Sequence, residues 1–282
     1  MVVALHMAFY LGSLLYVCAG ALSLTYLWKG DSRVLQHGVR LIWGGIACLI
    51  AMFAIRWALY GRVPLTTLSD SLSLFLILSG ALMVFITRRH NVSTLLSFYL
   101  APLAVVGLVN AAIAHRYLTE APMLLQRAPL VVHVGLAFLA YSLFFAAGMT
   151  SAAYLCHMSH IKHHRTTWLT RRMPSLQELD MMLSRLLLYA YPLFVLTLAQ
   201  GLVWAWLDPS PLGPQWWLAP KVLLSFVMVL FYACAVHLRF AGMLRGPKLS
   251  YLVLFGFAVL LVLYVGLSLF GLRGYHFWSG QA

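Results

Sequence analysis

The sequence of 282 residues predicts an all-α, polytopic membrane bundle of about eight transmembrane helices, with both termini on the outer side. Three observations predict it. Hydrophobic residues make up 63% of the chain and charged residues 9%, where a soluble domain holds about half and about a quarter. The mean hydropathy is +0.89, and short polar breaks cut the apolar residues into runs of membrane-crossing length. Period-two alternation is absent from these runs, so each satisfies its backbone groups internally as a helix rather than as a barrel strand.

The runs fall at 5–28, 36–60, 69–87, 93–114, 129–156, 183–207, 217–240 and 249–272. The first has no basic stretch before it and is too long for a cleaved signal, so it reads as a span. Lys29 and Arg33 separate it from the second, which carries Arg40 near its start, and Arg88 and Arg89 separate the third from the fourth. Pro129 opens the fifth. Ahead of the sixth, Ser175 and Glu178 have the S-x-x-E spacing of a capping box, which predicts a helix feeding that span. Trp216 and Trp217 precede the seventh, and the eighth ends before Gly274-Tyr-His-Phe-Trp278. The sequence shows no separate soluble region, so residues 1–282 read as a single integral membrane domain.

Nineteen Lys and Arg against six Asp and Glu give a net charge of +13. Twelve of these basic residues lie in the odd connections and five in the even ones. Positive residues favour the cytoplasm, which puts the odd connections inside. Basic residues flanking apolar runs serve as lipid-facing topology anchors, and nucleic acid is not an expected partner. Cys18, Cys48, Cys156 and Cys234 show no C-x-x-C spacing, so neither a disulfide framework nor a zinc site is indicated. His157, His160, His163 and His164 recur at helical spacing, but no carboxylate joins them to complete a metal shell.

Ionisable groups within or at the ends of spans are costly and mark candidate sites. His133 lies a few residues into the fifth span, one to two turns below the outer surface, and His276 follows the eighth span on the same side. Two imidazoles converging on an outward cavity form the arrangement that bis-histidine haem iron requires, whereas taken singly His133 reads as a ring hydrogen-bonded to a neighbouring helix and His276 as a solvated residue near a chain terminus. Trp216 and Trp217, with Trp278, could stack on a porphyrin, or simply form an interfacial aromatic belt. Asp70 begins the third span beside Ser69, where helix capping is its default role. His237 lies near the inner end of the seventh span, placed for a second, inner site.

These residues sit in stretches that resemble the cytochrome c assembly membrane family, which includes CcsA, CcmC and HemX-like proteins. Arg56-Trp57, Gly61 and Pro64-Leu-Thr-Thr-Leu-Ser-Asp-Ser-Leu72 are similar to its R-W…G…P-L-x-N-L-Y-E-S-L, with Asp70 in the Glu place. His133-Val-Gly through Tyr141 is similar to its H-V-S-x-x-x-x-x-Y. Trp216-Trp-Leu-Ala-Pro-Lys221, Tyr232 and His237-Leu-Arg239 are similar to W-x-W-D-P-K…Y…H-x-R, and His276 falls in the closing G-x-H-S-Y place.

The resemblance implies an outer haem site held by His133 and His276 beside the tryptophan-rich loop, with His237 at an inner site whose second ligand comes from a partner. His37 is the weaker candidate for that ligand within this chain. Leu218, Ala219, Val222 and Leu224 replace the tryptophans and acids of the tryptophan-rich signature, which moves the sequence toward the HemX and YpjD-like branch. The cofactor expected is therefore b-type haem, which could be held transiently, with His133 and His276 as metal ligands, Trp216, Trp217 and Asp70 as further cofactor-binding residues of the chain, and His237 at the inner site. The expected setting is the bacterial inner membrane, and the expected partners are lipid, a membrane subunit and an apocytochrome c. The chain offers no nucleophile or acid/base pair of its own, so delivery of haem rather than catalysis is expected. The second reading is a non-catalytic assembly or regulatory subunit that has kept the bundle and lost haem.

Overall fold

A computed structural model of the chain describes residues 1–61, 65, 67–89, 93–113, 128–164, 168–207 and 215–262. Within those residues the apolar runs fold as helices and no strand forms. In order they are α1 (Val2–Lys29), α2 (Ser32–Tyr60), α3 (Leu68–Arg89), α4 (Ser93–Ile113), α5 (Ala128–Lys162), α6 (Trp168–Arg172), α7 (Leu176–Leu207), α8 (Pro220–Phe240) and α9 (Pro247–Leu261). Trp216–Leu218 forms a single 3-10 turn before α8. Among the described residues seven helices, α1 to α5, α7 and α8, are long and apolar enough to cross a membrane, and α9 is a shorter apolar helix; residues 263–272 of the eighth expected span lie outside the described residues.

Local chemistry sets the junctions. Gly30 adopts φ 75°, a left-handed conformation that only glycine takes without cost, and its N–H closes α1 on the Tyr26 carbonyl at 2.8 Å. Asp31 then accepts the Arg33 N–H at 2.9 Å and caps α2, so two residues suffice to turn the chain into an antiparallel pair. The capping box expected at Ser175 is present: Glu178 accepts from the Ser175 N–H at 2.8 Å, and Ser175 Oγ accepts the Glu178 N–H at 3.2 Å. Pro220 stands at the first position of α8, where its missing N–H has no helical partner to lose.

Helix ends extend past the expected spans. α5 runs to Lys162 rather than ending at 156, α7 begins at Leu176 rather than 183, and α6 lies on the basic connection between them. An apolar run locates the hydrocarbon crossing, whereas a helix continues into the head-group region while its polar residues remain wet.

Packing divides the bundle into two groups of helices. In the first, α1 packs against α2 and α4, and α3 lies against α2 and α4. In the second, α5 packs against α7 and α9, and α8 leans on both α7 and α9. Contacts of α5 with α3 and α4 join the two groups. Lipid is as apolar as leucine, so helices here associate through close packing and shared hydrogen bonds. Gly20 shows the first device, because a Cβ there would lie 2.2 Å from that of Ala104. Tyr99 and Thr150 show the second, with their hydroxyls 2.9 Å apart between α4 and α5, as do Ser79 and Ser142 at 2.9 Å between α3 and α5.

Candidate functional site

The end of the bundle that the charge count assigns outside holds the C-terminal ends of α2, α4 and α7 and the N-terminal ends of α3, α5 and α8. His133, in the second turn of α5, is half-buried and faces α7. Its ring covers Gly201 so closely that a Cβ there would stand 2.7 Å from Cε1, 3.2 Å from Nδ1 and 3.5 Å from Nε2. The ring also lies against the backbone of Thr197, one helical turn from Gly201 on the same face of α7, with its Nδ1 buried. A neutral imidazole carries a lone pair on one ring nitrogen. That form can ligate iron, so the donor chemistry of His133 fits a haem.

Two turns further along α5, about 12 Å at 1.5 Å per residue, an aromatic cluster begins. Tyr141 packs on Phe194, and Phe144 stacks on Tyr232 with ring centroids 4.1 Å apart. Phe138, Tyr141 and Phe144 also line an apolar crevice with Leu72, Phe75, Val106, Phe257, Leu260 and Leu261. Tyr141 and Tyr232, both positions of the resembled motifs, thus belong to the aromatic core beneath His133.

Trp216 and Trp217 make an edge-to-face pair at 5.9 Å in the turn before α8, and Trp217 is 51% exposed. His276, together with Trp278 and Arg273, lies outside the described residues, as do Arg62, Arg116 and Arg127. His237 stands exposed in the last turn of α8. His37 is exposed in α2, its Nδ1 bonded to the Arg33 carbonyl at 2.7 Å. The His157 group does not converge: His160 and His163 each turn back on the carbonyl four residues earlier at 2.8 Å. Among the described residues no three His, Cys, Asp or Glu gather as a metal site.

Asp70 lies inside the bundle at 1% exposure, ion-paired with Arg56 Nη1, which is equally buried. It also caps α3 as expected, but the partner is Thr67 rather than Ser69. Asp70 Oδ2 accepts the Thr67 N–H and Thr67 Oγ1 accepts the Asp70 N–H, each at 3.1 Å. Ser69 instead donates to Asn110 Oδ1 at 2.9 Å, and Asn110 Nδ2 donates to Ser73 Oγ at 2.9 Å, which ties α3 to α4. Sequence reasoning missed Arg56 as the partner, although an arginine ending one span and an acid opening the next is a readable signal.

It missed a second pair at the opposite end. Arg239 donates from Nη2 to Asp180 at 2.6 Å and from Nε to Ser184 Oγ at 2.7 Å, joining α8 to α7. The other oxygen of Asp180 accepts the Gly246 N–H at 2.8 Å, which fixes the turn into α9. The arginine of the His-x-Arg motif therefore anchors the helix that carries His237.

Fold and site together define a multi-pass helical membrane protein with an imidazole embedded near one end of the bundle and a tryptophan pair in the turn before α8. The chain belongs to the cytochrome c assembly protein family, whose profile matches residues 7–273. It is 28% identical over 179 residues to "Protein HemX" of Brevibacillus brevis, covering 62% of this chain and 63% of that one. It is 30% identical over 151 residues to "Protein HemX" of Bacillus subtilis, covering 53% and 52%. "Cytochrome c biogenesis protein CcsA" of Nymphaea alba is 24% identical over 255 residues, with 81% of each chain covered. The chain thus spans between half and two thirds of the length of the HemX relatives it matches.

Proposed function

We propose that this chain handles b-type haem in a bacterial cytoplasmic membrane, receiving it within the bilayer and presenting it at the outer face for c-type cytochrome assembly. His133 and His276 are the axial ligands, Trp216 and Trp217 flank the macrocycle, and His237 belongs to the entry route at the inner end. Asp70 supports the site by holding the α2–α3 junction through Arg56. The chain acts as one membrane domain, with lipid, a partner membrane subunit and an apocytochrome c as its partners.

The observation that carries this reading is His133 itself. An imidazole in the second turn of a membrane helix, seated against a neighbouring helix, is a functional-site candidate because ionisable side chains are rare at that depth. The half-exposed Trp217 offers a flat surface, and the crevice around Tyr141 offers an apolar bed below. Haem, when bound, supplies an iron whose axial ligands set its redox potential. The protein's own residues hold and orient it.

Purification in mild detergent from haem-replete cells tests the reading. The wild-type chain is expected to show a Soret band that disappears when His133 and His276 are both changed to Ala. A colourless wild-type preparation overturns it and favours the assembly or regulatory subunit. Leu218 and Ala219, which stand where the motif has Trp and Asp, favour that second reading.

A further inference from the structure

We propose that α7 provides the seat that selects the tautomer and orientation of the His133 ring, with Gly201 and Thr197 as positioning residues. The inference rests on the reading of His133 as an iron ligand and adds a part to it. A ligating histidine that donates its second ring N–H to a carbonyl is fixed in tautomer and direction, and such outer partners are worth about 10- to 100-fold in metal affinity. The Thr197 carbonyl, one turn before Gly201 on the face of α7 that the ring covers, is the acceptor assigned to that N–H. The Thr197 side chain is turned away along α7, where Oγ1 donates to the Leu193 carbonyl at 2.8 Å, so the backbone is left to meet the ring.

Gly201 supplies the space. All three of the ring atoms Cε1, Nδ1 and Nε2 lie within 3.5 Å of where its Cβ would be, and the nearest, Cε1, within 2.7 Å. The obstructing atoms belong to the far end of a rotatable side chain rather than to backbone. An added methyl group therefore displaces the imidazole and leaves the α5–α7 contact in place. Gly135, two residues beyond His133 on α5, is a matched control, because a Cβ there meets nothing within 4 Å.

The experiment compares the full-length wild type, G201A, G135A and H133A in detergent, titrated with haem. G201A is expected to bind haem about 10- to 100-fold more weakly, with a shifted Soret maximum and altered low-spin electron paramagnetic resonance signal. G135A is expected to match the wild type. If H133A keeps wild-type affinity and spectrum, the ligand reading itself fails. If H133A loses haem while G201A matches the wild type, only the seat is overturned.

A second readout needs no haem and no variant at Gly201. In apo protein labelled with ¹⁵N-histidine, the His133 ring signals are assigned by difference against H133Q. One tautomer with a hydrogen-bonded N–H supports the seat. An even mixture of tautomers, or an imidazolium, overturns it, and this holds even if G201A does not fold.

Discussion

Asp70→Asn isolates what a buried charge does in this bundle. The substitution keeps the size of the side chain, and an amide oxygen can still accept the Thr67 N–H, so the cap of α3 survives. Only the anion is removed, leaving the Arg56 guanidinium 1% exposed and without its counter-charge. Among the described residues Arg56 Nε has no hydrogen-bond partner, so the cation has little else to lean on. Breaking one side of a buried pair costs about 3–5 kcal/mol, and that is the destabilisation expected for D70N. D70A should lose a further ~1 kcal/mol with the cap. The double variant R56M/D70L buries no charge and should recover most of the loss. Reversible unfolding in mixed micelles, followed by circular dichroism across a denaturing-detergent titration, gives all four free energies. A D70N value within about 1 kcal/mol of wild type, or a double variant no more stable than D70N, would refute the assignment of this pair as an uncompensated charge when split.

Other perturbations probe separate joints. R239K keeps the charge but loses the fork that reaches both Ser184 and Asp180, so it should cost about 1.5–3 kcal/mol and loosen α8 from α7; hydrogen exchange at the α8–α9 turn, where Asp180 also holds Gly246, should rise. G20A places a methyl group 2.2 Å from the Ala104 Cβ, with the Leu100 carbonyl at 3.1 Å, and α1 must move off α4; a loss of about 1–3 kcal/mol in the same titration is expected. Reporter fusions at Arg172 and after Trp278 should fall on opposite membrane faces, and matching signals would overturn the charge-based orientation.

Much of the fold could be read directly from the chain. Membrane crossing depends on local apolar content, so each run of about 20 residues announces its own helix. The Ser175–Glu178 box was legible for the same reason, since donor and acceptor sit three residues apart. Helix ends were less legible, as α5 and α7 show, because a helix outlasts the apolar run that marks it.

In the candidate site, the sequence pointed to His133 as costly but not to the surface it would meet. Gly201 lies 68 positions further on, and nothing in its neighbourhood distinguishes it from other helix glycines until α5 and α7 are packed together. Arg239 and Asp180 are likewise separated by 59 positions and joined only by the crossing of α7 and α8. Asp70 read as a cap at the level of its own helix, and it is one; its ion pair depends on where the end of α2 comes to rest.

Sequence alone therefore determined that this chain is a helical membrane protein, where its crossings lie and which polar residues are anomalous. Those properties follow from hydropathy and spacing along a single helix. Tertiary structure decided which face of each helix is covered and which partner each buried polar group finds. In a bilayer the hydrophobic effect does not choose between helices, so partner choice falls to close steric fit and to hydrogen bonds between residues far apart in the chain.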